Sequence, residues 1–93
     1  MKDERARCAE FVVRSSFVLT GRGTCVVGFI QSGTIRRDDE VRWMHDGSAR
    51  VARCIGIESI REVPLRDPPS IALMVNGAEP ADFIEGETLA LYR

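Results

Sequence analysis

The side chains best suited to binding chemistry are a carboxylate and an arginine three residues apart, Glu58 and Arg61. They lie near the end of an apolar segment with the pattern of a β-strand. A carboxylate accepts a hydrogen bond from a ribose hydroxyl, and a guanidinium binds phosphate through two parallel N–H groups. A pair of this kind is chemically able to contact a nucleotide. The alternative interpretation is a surface ion pair at a strand end.

Other arginines are candidates for anion binding. Arg22 stands between Gly21 and Gly23 in a predicted turn, from which it can reach phosphate or a protein partner, unless it is only solvated. Arg36 and Arg37 precede three acidic residues, so we expect a locally neutralised, solvated loop there. Two interpretations remain open for Arg14: it forms a new anion-binding site, or it is an exposed surface residue with no binding role.

Catalytic and metal-binding patterns are absent from the sequence. The three cysteines, Cys8, Cys25 and Cys54, form no Cys-x-x-Cys pair, and only His45 could join them in a zinc site. We expect Cys25 and Cys54 to be packed inside strands, Cys8 to be exposed in an N-terminal tail, and His45 to be an exposed turn residue. No acid–base pair or triad can be assembled by spacing. The sequence therefore predicts a protein that is not an enzyme and uses no metal and no cofactor.

Chain length and net charge limit the number of domains and the kinds of binding partner. The chain has 93 residues, enough for one domain, and a net charge of -1, which argues against bulk electrostatic binding to DNA, RNA or a membrane. Residues 1–53 carry ten cations and seven acids, whereas residues 54–93 carry three and seven, so a local basic face remains compatible with the sequence. The charged first residues lack an apolar signal core. These features predict a cytoplasmic protein with no membrane contact.

Apolar residues alternate with period two from Phe11 onward, and glycine turns separate the segments. This pattern predicts an all-β fold, a small closed six-stranded β-barrel spanning residues 10–93, after a flexible or short helical tail over residues 1–9. The predicted strands are 11–19, 24–30, 40–44, 48–60, 70–76 and 88–92. Asp46-Gly47 predicts a two-residue hairpin. Gly28 predicts a bulge or a barrel corner where another backbone comes close, and Gly56 predicts a bend.

Some local expectations follow from the same alternation. Phe11, Val13, Ser15, Phe17 and Leu19 should share one face of the first strand. Residues 31–34 should form a second turn, residues 62–69 a loop, and residues 77–87 a tight turn or a single helical turn. Ile35 should be an inward anchor and Trp43 a core residue. Phe17, Val27 and Phe29 are candidates for an exposed apolar patch, and burial in the core is the alternative for Phe29.

Several short motifs occur in a fixed order along residues 11–92. They are Gly21-Arg22-Gly23-Thr24, Gly33-Thr34-Ile35, Asp39-Glu40-Val41, Gly56-Ile57-Glu58 and Gly86-Glu87-Thr88-Leu89-Ala90. In this order and spacing the chain resembles the second domain of translational GTPases, closest to that of elongation factor Tu. The resemblance implies a six-stranded barrel that follows a GTP-binding domain. The phosphate loop of such a domain does not occur in this sequence, so GTP hydrolysis does not belong to it.

The resemblance also implies a ligand. In elongation factor Tu this barrel helps to hold the aminoacylated 3′ end of tRNA, and in related factors it faces ribosomal RNA. Glu58 and Arg61 match the family residues that contact the terminal adenosine and the backbone near it, and Phe17 matches an aromatic residue near the aminoacyl pocket. The expected function is a non-catalytic module that binds tRNA, ribosomal RNA or a ribonucleoprotein through Phe17, Arg22, Glu58 and Arg61.

The sequence departs from the family at three places near the same site. Ser15-Ser16 and Arg14 replace an acidic pair, Val27 replaces a threonine, and Pro68-Pro69-Ser70 with a shortened loop replaces a Gly-x-Asn segment. The alternative expectation is therefore a protein–protein or self-association module, which uses the surface that packs on the GTPase domain in the family. Met1 and the charged start are typical of a complete small protein, and a piece of a longer factor is the other interpretation.

Overall fold

The computed structural model describes residues 5–93 and contains six strands and one turn of 3-10 helix. The strands are β1 (Arg7–Leu19), β2 (Gly23–Gly33), β3 (Glu40–His45), β4 (Ser48–Ser59), β5 (Ile71–Asn76) and β6 (Thr88–Tyr92), and the 3-10 turn is Pro80–Asp82. Expectations for residues 1–4 lie outside the described residues. Between residues 5 and 93 there is no helix of the length and apolar character that crossing a membrane requires.

The strands close into a barrel in the order β1-β2-β5-β4-β3-β6, and every neighbouring pair is antiparallel. The predicted all-β, closed six-stranded barrel is confirmed. In a closed barrel every strand has two neighbours, so the hydrogen-bonding groups that would lie exposed along an open edge are paired over much of the sheet.

The core fills the inside of the barrel with side chains from all six strands. Its fully buried members are Phe11, Val13, Val26, Val41, Cys54, Leu73, Leu89 and Leu91. Trp43 closes one side, stacking on Phe83 with 4.7 Å between ring centroids and donating its indole N–H to the carbonyl of Asp82 at 2.8 Å. The predicted core position of Trp43 is confirmed, as is the inward position of Ile35.

Two glycine predictions are confirmed by the backbone. Asp46 and Gly47 both have positive φ, 49° and 77°, as a two-residue hairpin turn between β3 and β4 requires. At Gly28, a Cβ atom would lie 1.9 Å from the carbonyl oxygen of Val12 and 2.8 Å from the ring of Phe11. Gly28 is therefore the place where β1 crosses closely over β2.

The first strand begins at Arg7, so the expected tail over residues 1–9 is wrong for residues 7–9. Ala9 is buried because it pairs with both neighbouring strands, opposite Gly33 on β2 and Leu91 on β6. The predicted turn at residues 31–34 is also corrected. β2 continues to Gly33, and Gln31 is the extra residue of a β-bulge, since Glu10 pairs with Ser32 while Phe11 pairs with Ile30.

A second bulge on β1 overturns the prediction that five alternating residues share one face. Val13 pairs with Gly28 and Ser15 pairs with Val27, so Arg14 is an additional residue in the ladder. One extra residue moves every later side chain to the opposite face. Phe11 and Val13 therefore point into the barrel, whereas Ser15, Phe17 and Leu19 point out of it.

A buried carboxylate corrects the expected solvated loop before β3. Asp39 is 2% exposed and accepts hydrogen bonds from the Arg36 amide at 2.7 Å, from two nitrogens of Arg93 at 3.0 Å and from the Cys8 thiol at 3.4 Å. Burial alone would raise the pKa of Asp39, but these hydrogen bonds outweigh it and hold the pKa below its usual value. Cys8 is consequently a half-buried strand residue, not an exposed tail thiol.

Candidate nucleic-acid interface

The outer side of β2 and β5 carries a second apolar cluster, which we call the outer apolar layer. Its buried members are Cys25, Val27, Ala72 and Met74, and Leu19, Ile55 and Ile60 pack against it. These residues alternate along the strands with Val26 and Leu73, which belong to the barrel core. Both sides of β2 and β5 are therefore apolar. Packing of the outer apolar layer supports the side chains that lie on top of it.

Arg22 and Glu58 meet above the outer apolar layer. Arg22 Nη2 lies 2.5 Å from Glu58 Oε1, although the two residues come from the β1–β2 turn and from the far end of β4. The barrel brings them together because β5 is the strand between β2 and β4, with Glu58 opposite Ala72 and Ala72 opposite Val27. Both side chains are about half exposed. Glu58 therefore pairs with Arg22, not with Arg61.

Phe17 joins the same face because of the bulge at Arg14. It lies opposite Cys25, a member of the outer apolar layer, and is 42% exposed. The structure thus brings three of the four sequence-predicted residues, Phe17, Arg22 and Glu58, to one outer face. Val27, expected with Phe17 in an exposed patch, is instead buried beneath it.

Arg61 follows the end of β4 by two residues and is exposed. Within residues 5–93 it makes no ion pair or side-chain hydrogen bond. Its neighbour Ile60 packs on the outer apolar layer and so fixes the chain just before Arg61 to this face. Arg61 is therefore an exposed cation three residues after Glu58 in the chain, without an ion-pair partner among residues 5–93.

Arg14, for which the sequence left two interpretations open, has a structural role. Its Nη1 donates to the carbonyl of Pro68 at 2.6 Å and to the hydroxyl of Ser70 at 2.7 Å, and its guanidinium lies 4.5 Å from the ring centroid of Phe29. Arg14 therefore ties the bulge in β1 to the segment that enters β5. The contact joins residues that are 56 positions apart, so no local sequence pattern could reveal it.

The cysteine thiols are held in their neutral form. Burial raises the pKa of Cys25, and the nearby carboxylate of Glu58 raises it further, while Arg22 acts in the opposite direction. Burial also raises the pKa of Cys54 and of Cys8, and at Cys8 the hydrogen bond to Asp39 adds to the effect. A thiol with a raised pKa is a poor nucleophile and metal ligand near neutral pH.

His45 differs from its expected position as an exposed turn residue. Its side chain is 16% exposed, with Nε2 at 3.4 Å from Asp46 and a buried Nδ1 that has no hydrogen-bond partner. Among residues 5–93, no three Cys, His, Asp or Glu side chains are grouped in a way that could hold a metal ion.

No protein-family model matches the chain.

Proposed function

We propose that this chain is a non-catalytic binding module, similar to domain 2 of elongation factor Tu, which contacts RNA through the face bearing Phe17, Arg22, Glu58 and Arg61. The observation that supports the proposal is the convergence of Phe17 and the Arg22–Glu58 pair on one outer face. Phe17 and Glu58 lie on paired strands over a packed base, and Arg22 lies in the turn between β1 and β2 and reaches Glu58, 36 positions further along the chain. Sites built on such rigid elements position their groups precisely.

Phe17, Arg61 and Glu58 each have a chemical role in such a contact. The exposed ring of Phe17 is a surface on which a base can stack. The guanidinium of Arg61 is available to phosphate. Only one oxygen of Glu58 is used by Arg22, so the other can accept a hydrogen bond from a ribose 2′-hydroxyl, the group that distinguishes RNA from DNA.

The ion pair between Arg22 and Glu58 is no obstacle to this function. Both side chains are well exposed, and exposed pairs contribute only about 0–1 kcal/mol, so a phosphate can compete for Arg22 at little cost. The pair also holds Arg22 over the site before RNA arrives, which lowers the entropy lost on binding.

An amide chemical-shift titration tests the proposal. The isotopically labelled protein is titrated with aminoacylated and with deacylated tRNA at two salt concentrations. We expect saturable shifts around Phe17, Glu58 and Arg61 that weaken as salt rises, because phosphate contacts release counterions. Substitution Arg61→Gln should weaken binding by about threefold to tenfold.

The matched control is Arg37→Gln, which removes the same charge from an exposed arginine in the loop between β2 and β3. It should change the affinity by less than about twofold if binding is local. Equal losses in Arg61→Gln and Arg37→Gln would show non-specific attraction, and absence of any saturable shift would contradict the RNA proposal.

The segment after Arg61 favours a second candidate, a protein-interaction or self-association module. Val63 and Leu65 are 91% and 82% exposed, an unusual degree for large apolar side chains. Association through them should persist at high salt and be lost in the double substitution Val63→Ser, Leu65→Ser, as measured by sedimentation velocity. A monomer at all protein concentrations would exclude self-association.

A further inference from the structure

A groove with a volume of about 400 Å³ crosses β3, β4 and β6. In the strand order this group lies almost opposite β2 and β5, so the groove is separate from the face of the proposed RNA contact. The depression forms because small side chains, Ala49 on β4 and Ala90 on β6, lie between larger ones. Its size falls within the range of pockets that hold a nucleotide or another small molecule.

Arginines outnumber carboxylates in the lining of the groove, although the protein has a net charge of -1. Three arginines, Arg7, Arg42 and Arg50, line it, against a single lining carboxylate, Glu87, which already accepts the backbone N–H of Ile84 at 3.1 Å. Glu10 and Glu40, which do not line the groove, partly offset Arg7 and Arg42 as ion-pair partners. Arg50 makes no ion pair with any residue between 5 and 93. An anionic occupant is the one that this charge pattern favours.

The groove also offers a flat surface. The guanidinium of Arg42 lies 3.9 Å from the ring centroid of Tyr92, and that of Arg7 lies at 5.8 Å from the same centroid and donates to the Tyr92 hydroxyl at 3.4 Å. Guanidinium planes and tyrosine rings are the surfaces on which unpaired bases stack. Met44 and Val51 add exposed apolar area beside them.

We propose that this groove binds one or two nucleotides of a single-stranded nucleic acid, with a base stacked on the Arg42–Tyr92 pair and phosphate held by the lining arginines. An acidic peptide would satisfy the charge but has no planar group for the stack. The inference does not rest on the proposed function, because the two faces share none of these side chains.

The test is a titration of the labelled protein with a single-stranded adenosine hexanucleotide, in which amide shifts are followed separately around Tyr92 and around Phe17. We expect saturable shifts at Tyr92. Arg42→Gln, which removes the stacked guanidinium, and Ala49→Glu, which places a carboxylate on the floor of the groove, should each weaken binding there by at least about fivefold.

Two controls separate this site from the face near Arg61. Arg37→Gln should change the affinity at Tyr92 by less than about twofold, and Arg61→Gln should leave the Tyr92 shifts in place while affecting those at Phe17. The proposal is overturned if neither groove variant weakens the shifts at Tyr92. It is equally overturned if a hexaglutamate peptide produces the same shifts at the same concentration, since the groove would then select charge alone. Unchanged thermal midpoints of both variants confirm that they fold.

Discussion

At the scale of single residues, the environment of Asp39 matters most for stability. A carboxylate that is almost fully buried retains its charge because Arg93, the Arg36 amide and the Cys8 thiol all donate to it. Arg93 also donates to the carbonyl of Thr34 at 3.2 Å. The cluster therefore connects β1, the loop before β3 and the residue after β6.

The lowered pKa of Asp39 predicts how stability depends on pH. The folded state binds the proton of this carboxyl less readily than the unfolded state, so its stabilisation is complete above the unfolded pKa of about 3.9 and is lost as pH falls through the folded pKa. Asp39→Asn should lower the free energy of unfolding at pH 7 by about 2 kcal/mol, measured by urea denaturation. It should also flatten the acid limb of the stability profile.

Asp38→Asn is the appropriate control for that measurement. It removes the same charge from an exposed neighbour with a φ of 76°, a left-handed conformation that asparagine tolerates. A similar loss of stability in both variants would mean that total charge, not the buried cluster, governs the acid limb.

At the scale of strands, much of the barrel could be predicted from the sequence because alternation and turn residues are local signals. Thr88–Tyr92 was predicted with its exact bounds, and β3, β4 and β5 were predicted to within one residue at each end. Gly28 predicted a bulge or a barrel corner, and the bulge at Arg14 follows the pair of Val13 with Gly28. Which residues are the extra ones, Arg14 on β1 and Gln31 on β2, could not be predicted, since an extra residue is recognisable only against the partner strand. The outward position of Phe17 and the hydrogen bond from Arg14 to Ser70 could not be predicted either, because both depend on the bulge at Arg14.

The ion pair between Arg22 and Glu58 could not be predicted from the sequence either. The two residues are separated by 36 positions, and their contact depends on β5 lying between β2 and β4, a strand order that alternation does not specify. The sequence identified both residues as candidates but matched Glu58 with its nearest cation, Arg61.

Two interior glycines of strands should respond very differently to alanine. At Gly28 a methyl group would lie 1.9 Å from a backbone oxygen, whereas at Gly56 its nearest neighbour is the Met74 side chain at 3.6 Å, an ordinary contact. We expect Gly28→Ala to cost about 3 kcal/mol or more, and Gly56→Ala to change stability by less than about 1 kcal/mol. Chemical denaturation of both variants gives the comparison, and equal midpoints would show that β1 can move away from β2 at no cost.

At the scale of the whole molecule, the barrel controls access to its thiols. Cys25 and Cys54 are buried on opposite sides of the sheet, and Cys8 is half-buried beside Asp39. We expect alkylation of Cys25 and Cys54 in the native protein to be slower than in urea by a factor of about 100 or more, because modification requires opening of the fold.

Mass spectrometry of the alkylated protein over time measures this protection, and Cys8 serves as the internal reference with partial access. Rapid labelling of Cys25 together with slow labelling of Cys54 would show that the outer apolar layer opens independently of the barrel core.

The bulge at Arg14 has a consequence for how this protein can change over generations. Before the bulge, β1 contributes Phe11 and Val13 to the core, and after it the strand contributes Phe17 to the surface. Selection can therefore alter the outer surface through the second half of the strand while the first half continues to fill the barrel core. Because one extra residue separates core positions from surface positions on the same strand, substitutions at the surface positions can accumulate without the usual loss of stability.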